Sequence, residues 1–266
     1  MKKCAYIFIL IIAIVFASCN GSATSVSGSS NSDNFVAKKV HTVCLLDSSD
    51  EKSPKYETNI YVELLESDDK ERENKINSTI VNAVFGYDDL SFDAAADSFI
   101  ANAHAEYADL LPEYLNEKQI NENPAWFNFS HIINTHIEHG RKDVINYVIH
   151  SEYYNGGANP NSAYVIINFD SATGEEIRLD DIFKENYEEY LCNRLTDALA
   201  EKLGARSRRE IQEKGYLTFN DIFPTENFII KDDSILFCYN LYEIAPRAAG
   251  TTTLGFTYEE LSIILK

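Results

Sequence analysis

The sequence predicts an α+β fold, with antiparallel sheets and helices packed on them. Three observations carry that reading. Segments with two-residue alternation come in adjacent pairs, which is the pattern of hairpins. Segments with helical periodicity fall in separate blocks and do not alternate with strands as βαβ units, so a doubly wound parallel sheet is disfavoured. The 16 Tyr and 15 Phe among 266 residues favour sheet-rich structure.

The elements follow in order. Residues 35–46 alternate as a strand, with Val36, Val40, Cys44 and Leu46 on one face. Residues 55–65 alternate more strictly, placing Tyr56, Ile60, Val62 and Leu64 together. An acidic stretch then breaks the pattern. Ile76, Ile80, Val81, Val84 and Phe85 recur at helical spacing, which predicts a helix over 71–85 ending near Gly86. Ser91 is placed to cap a second helix with Phe92, Ala95, Ala96, Phe99, Ala103 and Leu110 along one side. That helix should stop at or before Pro112, or bend there. Residues 126–154 read as a hairpin turning near Gly140, followed by a loop over 154–161, a strand over 162–170 and a turn over 171–176. Residues 177–183 lead into a helix over 185–203 with Tyr187, Leu191, Leu195, Leu199 and Leu203 on its face and Gly204 closing it. Ser207 and Glu210 form a capping box for one more short helix. Strands over 227–231 and 235–240, a loop over 241–250 and a strand over 251–256 come next. Thr257 and Glu260 then cap a final helix over 258–265.

The first residues suggest a destination. Lys2 and Lys3 precede an unbroken apolar run over 5–16. That run is shorter than the roughly 20 residues a membrane-spanning helix needs, and it suits the hydrophobic region of an export signal. Ala17, Ser18 and Cys19 follow, and this order resembles the lipobox of bacterial lipoproteins, with Phe16 where Leu is more usual. The resemblance implies a diacylglycerol on the Cys19 thiol, cleavage just before it, and acylation of the new N-terminus. An ordinary secretory signal cut near the same place is the alternative. More than one acyl chain makes such an anchor stable, at about 0.8 kcal/mol per buried methylene. Residues 20–33 are rich in Ser, Gly and Asn, a composition expected of a tether reaching roughly 20 Å as a random coil. The resulting organisation is a signal over 1–18, a lipidated tether over 19–33, an α+β region over 34–172 and a second over 173–266.

The chain holds 23 basic and 42 acidic residues, a net charge of −19. Lys2 and Lys3 are the only charges ahead of Cys19, so removal of the signal leaves a still more acidic protein. This argues against nucleic acid as a partner, because phosphates favour Lys and Arg, and against a body lying on anionic lipid. It suits a cationic partner, although acidity also serves solubility alone. Cys44, Cys192 and Cys238 remain beyond the anchor, an odd number in apolar runs. They read as buried free thiols, with one bridge left open.

Residues 153–183 and 228–261 resemble a pair of adjoining extracytoplasmic domains of unknown function. Such domains occur in RsiV-type lysozyme-sensing anti-sigma factors, in the non-catalytic part of PdaC-type peptidoglycan deacetylases, and in many lipoproteins. The resemblance rests on Tyr154, Asn155, Gly156, Gly157 and Ala158, on the stretch around Phe169–Phe183, and on the loop from Tyr242 through Glu243 to Gly250 ahead of Tyr258 and Leu261. Asn159 stands where that family usually has His, and Arg247 where it usually has Tyr. Neither the sigma-binding segment nor a deacetylase domain is recognisable. The resemblance therefore implies an extracytoplasmic binding module, not an anti-sigma factor or a deacetylase.

His131, His136 and His139 are spaced for no shared metal ion: on a strand, eight residues span about 27 Å. Nucleophile-elbow, phosphate-loop and dinucleotide motifs are lacking, and no cofactor is expected. Two loops remain as binding candidates. In the first, Gly156 and Gly157 permit positive φ or a close backbone approach, beside Tyr153, Tyr154, Asn155 and Asn159. In the second, Tyr242, Glu243 and Arg247 lie among apolar residues. Glu243 is placed either to pair with Arg247 or to accept backbone N–H groups that hold the loop. The structural reading leads for both, a turn between strands for the first loop and an internal clasp of the fold for the second. The expected function is a membrane-anchored binding or sensing module of the cell envelope, with no catalytic residues. Its expected partner is a cationic, lysozyme-like protein or a cell-wall component, and its membrane contact runs through the lipid only. An envelope hydrolase with an unrecognised site and a structural lipoprotein are the alternatives.

Overall fold

The computed structural model describes residues 34–122 and 124–266, so the signal, Cys19 and the tether lie outside the described residues. Strands β1 (Asn34–Leu45), β2 (Lys55–Glu66), β3 (Phe129–Glu138), β4 (Val144–Asn155), β5 (Asn161–Asp170) and β6 (Glu176–Ile177) lie side by side in chain order. Strands β7 (Phe228–Ile230), β8 (Ser234–Tyr239) and β9 (Thr252–Thr257) make a second, smaller sheet. The helices are α1 (Lys70–Phe85), α2 (Phe92–Ala108), α3 (Leu111–Glu117), α4 (Leu179–Ile182), α5 (Glu188–Leu203) and α6 (Arg208–Glu213). The fold is α+β, and its strand pairs are antiparallel except β2 and β3, which run parallel. That exception follows from the block α1–α3 between them, a crossover long enough to return the chain in the same direction.

The larger sheet carries α1 and α2. Ile76, Ile80, Val81 and Phe85 of α1 meet Ile60 and Val62 of β2 and Tyr147 and Phe169 of β4 and β5. Asp69 caps α1 by accepting the Arg72 N–H at 3.1 Å, and Gly86 ends it at φ 77°. Ser91 caps α2 as expected. The chain breaks after Ala108 and restarts as α3 with Pro112 in the first turn, where a missing N–H costs nothing. The smaller sheet carries α5. Leu191, Leu195 and Leu199 are fully buried against Ile235, Phe237, Leu254 and Phe256.

Two expectations need correction. Helix α5 starts at Glu188, not 185, because Asn186 turns at φ 63° and the Lys184 N–H bonds the Ile264 carbonyl at 2.8 Å. The final helix over 258–265 is instead a run of turns ending in a bridge between Phe183 and Leu265. Its capping box does form, with the Thr257 N–H donating to Glu260 Oε2 at 2.8 Å. Backbone pairing with 182–184, including the Lys266 N–H to the Ile182 carbonyl at 3.0 Å, prevails over the local helix signal.

Asparagine side chains join the elements by imitating a strand. The buried Asn146 amide donates to the Ile230 carbonyl at 3.1 Å and accepts the Ile230 N–H at 2.9 Å, so β4 holds β7. Asn240 does the same for Tyr164 of β5, at 2.9 and 2.7 Å. Asn77 of α1 does it for Leu65 of β2, at 2.9 Å in both directions. Asn227 accepts the Ile166 N–H at 2.9 Å, and Asn168 donates to the Phe228 carbonyl at 2.9 Å. An amide carries a donor and an acceptor in the geometry of a peptide group, so one side chain satisfies both groups of a facing residue. Residues 34–266 thereby belong to one compact unit.

Candidate binding face

The first candidate loop joins β4 to β5. Gly156 sits at φ 82°, and a Cβ there would lie 1.8 Å from the Trp126 carbonyl oxygen. The loop is thus pressed onto the backbone of 126, which only glycine allows. Asn155, Gly157 and Asn159 are exposed, and Tyr154 is half-buried opposite Ser130 of β3. Tyr153 turns to the other side. Its ring lies 5.3 Å from His131, 6.4 Å from Tyr56 and 6.5 Å from Phe129, within an aromatic cluster. Burial, assisted by the charge of Glu106, pushes its hydroxyl above the ordinary tyrosine range.

The second loop joins β8 to β9. Glu243 Oε2 accepts the Asn240 N–H at 2.7 Å, so the backbone-holding alternative describes it and pairing with Arg247 does not. Arg247 instead reaches the first loop, where its Nη1 donates to the Pro160 carbonyl at 2.6 Å. Together with the Asn240–Tyr164 pair, this brings the two loops to one side of the molecule. Tyr242 stands beside them with 60% of its surface exposed and φ 69°. A bulky residue in that region costs roughly 1–2 kcal/mol.

A third segment belongs to this face. The Leu217 N–H donates to the Ile244 carbonyl at 2.8 Å, and the Asn220 amide donates to the Glu243 carbonyl at 3.2 Å. Leu217 also has positive φ, 51°, and Phe219 is 95% exposed. Sequence reasoning missed this segment. The available signal was Phe219 among the polar residues Thr218, Asn220 and Asp221, with no period to bury it. The face therefore gathers both predicted loops, sets Tyr153 into the core, and adds residues 217–220.

Residues 180–259 match the family model described as protein of unknown function (DUF3298). This DUF3298 region runs from α4 to the turn after β9 and includes the second loop but not the first. A DUF3298 family protein from Bacteroides fragilis has a solved structure with TM-score 0.79 at 27% identity, covering 89% of this chain and 94% of that one. A DUF3298 family protein from Pseudomonas aeruginosa has TM-score 0.56 at 15% identity, covering 88% of this chain and 95% of its own, and shares the fold. No curated protein matches the chain. The likeness extends well beyond the DUF3298 region, over both sheets.

The remaining reactive groups are set apart from this face by their surroundings. The Nε2 of His104 is buried without a partner, and His131 bonds Ser151 Oγ at 3.0 Å; burial lowers the pKa of both rings. Cys44, Cys192 and Cys238 are free and half-buried, and burial raises each thiol, which keeps it protonated and unreactive. Among the described residues no group of His, Cys, Asp and Glu is arranged to hold a metal ion, and no helix is long and apolar enough to cross a membrane.

Proposed function

We propose that this protein is an envelope lipoprotein, held outside the cytoplasm by a lipid on Cys19, whose two-loop face binds a cationic protein. The observation that carries the reading is Tyr242. It is a large, exposed aromatic held at positive φ by a clasp of Asn240, Glu243 and Leu217 contacts. Backbone strain clusters at functional sites, where surrounding contacts hold it in place, and tyrosine is favoured at the centre of interfaces. The excess of acidic over basic residues supports a basic partner, since opposite fields speed encounter. The RsiV-like resemblance makes lysozyme the first basic protein to try. Asn159 and Arg247, where that family has His and Tyr, argue for a different contact set from the family's own.

The test is a titration against lysozyme and other basic envelope proteins at two salt concentrations, using the parent and Tyr242→Gly. Glycine relieves the positive φ, so the variant should be as stable as the parent or more stable by up to about 1 kcal/mol. It should also bind at least tenfold more weakly, with association slowing as salt rises. Equal binding by the two proteins, or no binding to any basic protein, removes the face from the account. Cys19→Ala should release the protein from the membrane fraction; equal lipid labelling of both forms would end the anchor proposal.

A further inference from the structure

The seam between the second half of α2 and the larger sheet is unlike the rest of the core. Phe92, Ala95, Ala96 and Ile100 bury the first half of the helix among apolar side chains. Beyond them, His104 packs edge-on to Tyr56 of β2, with ring centroids 6.0 Å apart. His131 of β3 lies between Phe99 of α2, at 5.2 Å, and Tyr153 of β4, at 5.3 Å. Thr58 stands beside His131 in the parallel pair and opposite Thr42 of β1. Two imidazoles and two hydroxyls thus share one helix–sheet seam.

Three of these groups lack a partner. Thr42 Oγ1, Thr58 Oγ1 and His104 Nε2 are buried with no hydrogen bond, and Thr58 is 0% exposed. A stranded buried group costs roughly 1–3 kcal/mol, and the cost is relieved when the seam opens to water. Among the described residues neither ring has a carboxylate partner, and burial holds both histidines below their ordinary pKa. The titratable groups around them are Cys44, Tyr56, Tyr107, Tyr114 and Tyr153, with Glu106, whose charge acts on Tyr56 and Tyr153. A local opening would therefore rehydrate the orphan atoms and let two rings take up protons.

We propose that the second half of α2, residues 99–108, is an acid-released flap that lifts from the sheet and uncovers the aromatic cluster of Tyr56, Phe129 and Tyr153. Tyr107, on this stretch, covers Phe129 with ring centroids 5.1 Å apart. The closed form is favoured in full above the open-state histidine value of about 6.5 and weakens as pH falls through it. Each ring can raise the opening equilibrium by up to about tenfold per pH unit below that value. The device does not depend on what the two-loop face binds.

Amide hydrogen exchange of the full chain, corrected for the intrinsic rate at each pH, tests the proposal. Amides of 99–108 should exchange faster than those of α5 and should ignore low urea, because their opening is local, whereas α5 follows urea with the global transition. Between pH 7.5 and 5.5 their protection should fall about tenfold or more. His104→Phe with His131→Gln, which leaves a donor toward Ser151, should remove that pH dependence. His104→Phe alone should remove about half of it on a logarithmic scale, and serves if the double variant does not melt cooperatively. Thr58→Val, which replaces an orphan hydroxyl with a methyl, should raise protection at both pH values. Protection of 99–108 that is constant with pH, that follows urea as α5 does, or that falls as far in the histidine variants as in the parent would overturn the proposal.

Discussion

Gly156 combines φ 82° with a Trp126 carbonyl oxygen 1.8 Å from where a Cβ would sit. Both restrictions were legible in the sequence, where the paired glycines imply positive φ or close approach. What approaches was not legible, because Trp126 is 30 residues away. Gly156→Ala should destabilise the fold by about 2 kcal/mol or more, read as a lower urea midpoint with the slope unchanged. A stability equal to the parent's would show that the loop is not pressed on 126. Buried histidine gives a second residue-scale expectation. Burial holds the His104 ring below the ordinary histidine pKa, since an apolar setting disfavours the cation. The unfolded chain then binds a proton that the folded chain refuses. The neutral ring's contribution is complete above the unfolded value of about 6.5 and is lost as pH falls below it toward the folded value. Urea midpoints should fall between pH 7.5 and 5.5, and His104→Leu should flatten that slope. An identical slope in the variant would contradict the assignment.

At the scale of elements, periodicity located β2, α1 and α5 because each has one buried face. Leu191, Leu195 and Leu199 of α5 are the simplest instance. The errors came where a remote backbone competed with a local signal. The Thr257–Glu260 capping box forms, but the chain after it pairs with 182–184 instead of coiling. The parallel β2–β3 pair was hidden for a similar reason, since nothing in either strand records the direction of its neighbour. The asparagine pairs were hidden altogether, because an Asn in a strand reads as a solvent-facing position. Asn146 is 0% exposed and serves both backbone groups of Ile230. Asn146→Leu keeps the branched shape of the side chain and removes both hydrogen-bonding groups, so it should cost about 3 kcal/mol, the penalty for stranding buried backbone groups. Chemical denaturation measures it, and a loss below about 1 kcal/mol would mean that these bonds do not hold β7.

For the whole molecule, the same asparagine pairs make the two sheets one body, and they also set the candidate face. The Asn240–Tyr164 pair, 76 residues apart, and the Arg247–Pro160 bond, 87 apart, bring the two loops together. The sequence contained both loops as candidates, but their meeting is a property of the assembled fold. Presentation of Tyr242 to a basic partner is tested by a photo-crosslinking residue at position 242 in living cells of the native host. The control carries the same residue at Asp197, an exposed position on α5. The expected result is a discrete adduct at 242 that is absent at 197, with a basic protein as the captured partner and a yield that falls when salt is raised. Adducts of equal yield at both positions, or an acidic protein captured at 242 regardless of salt, would contradict it.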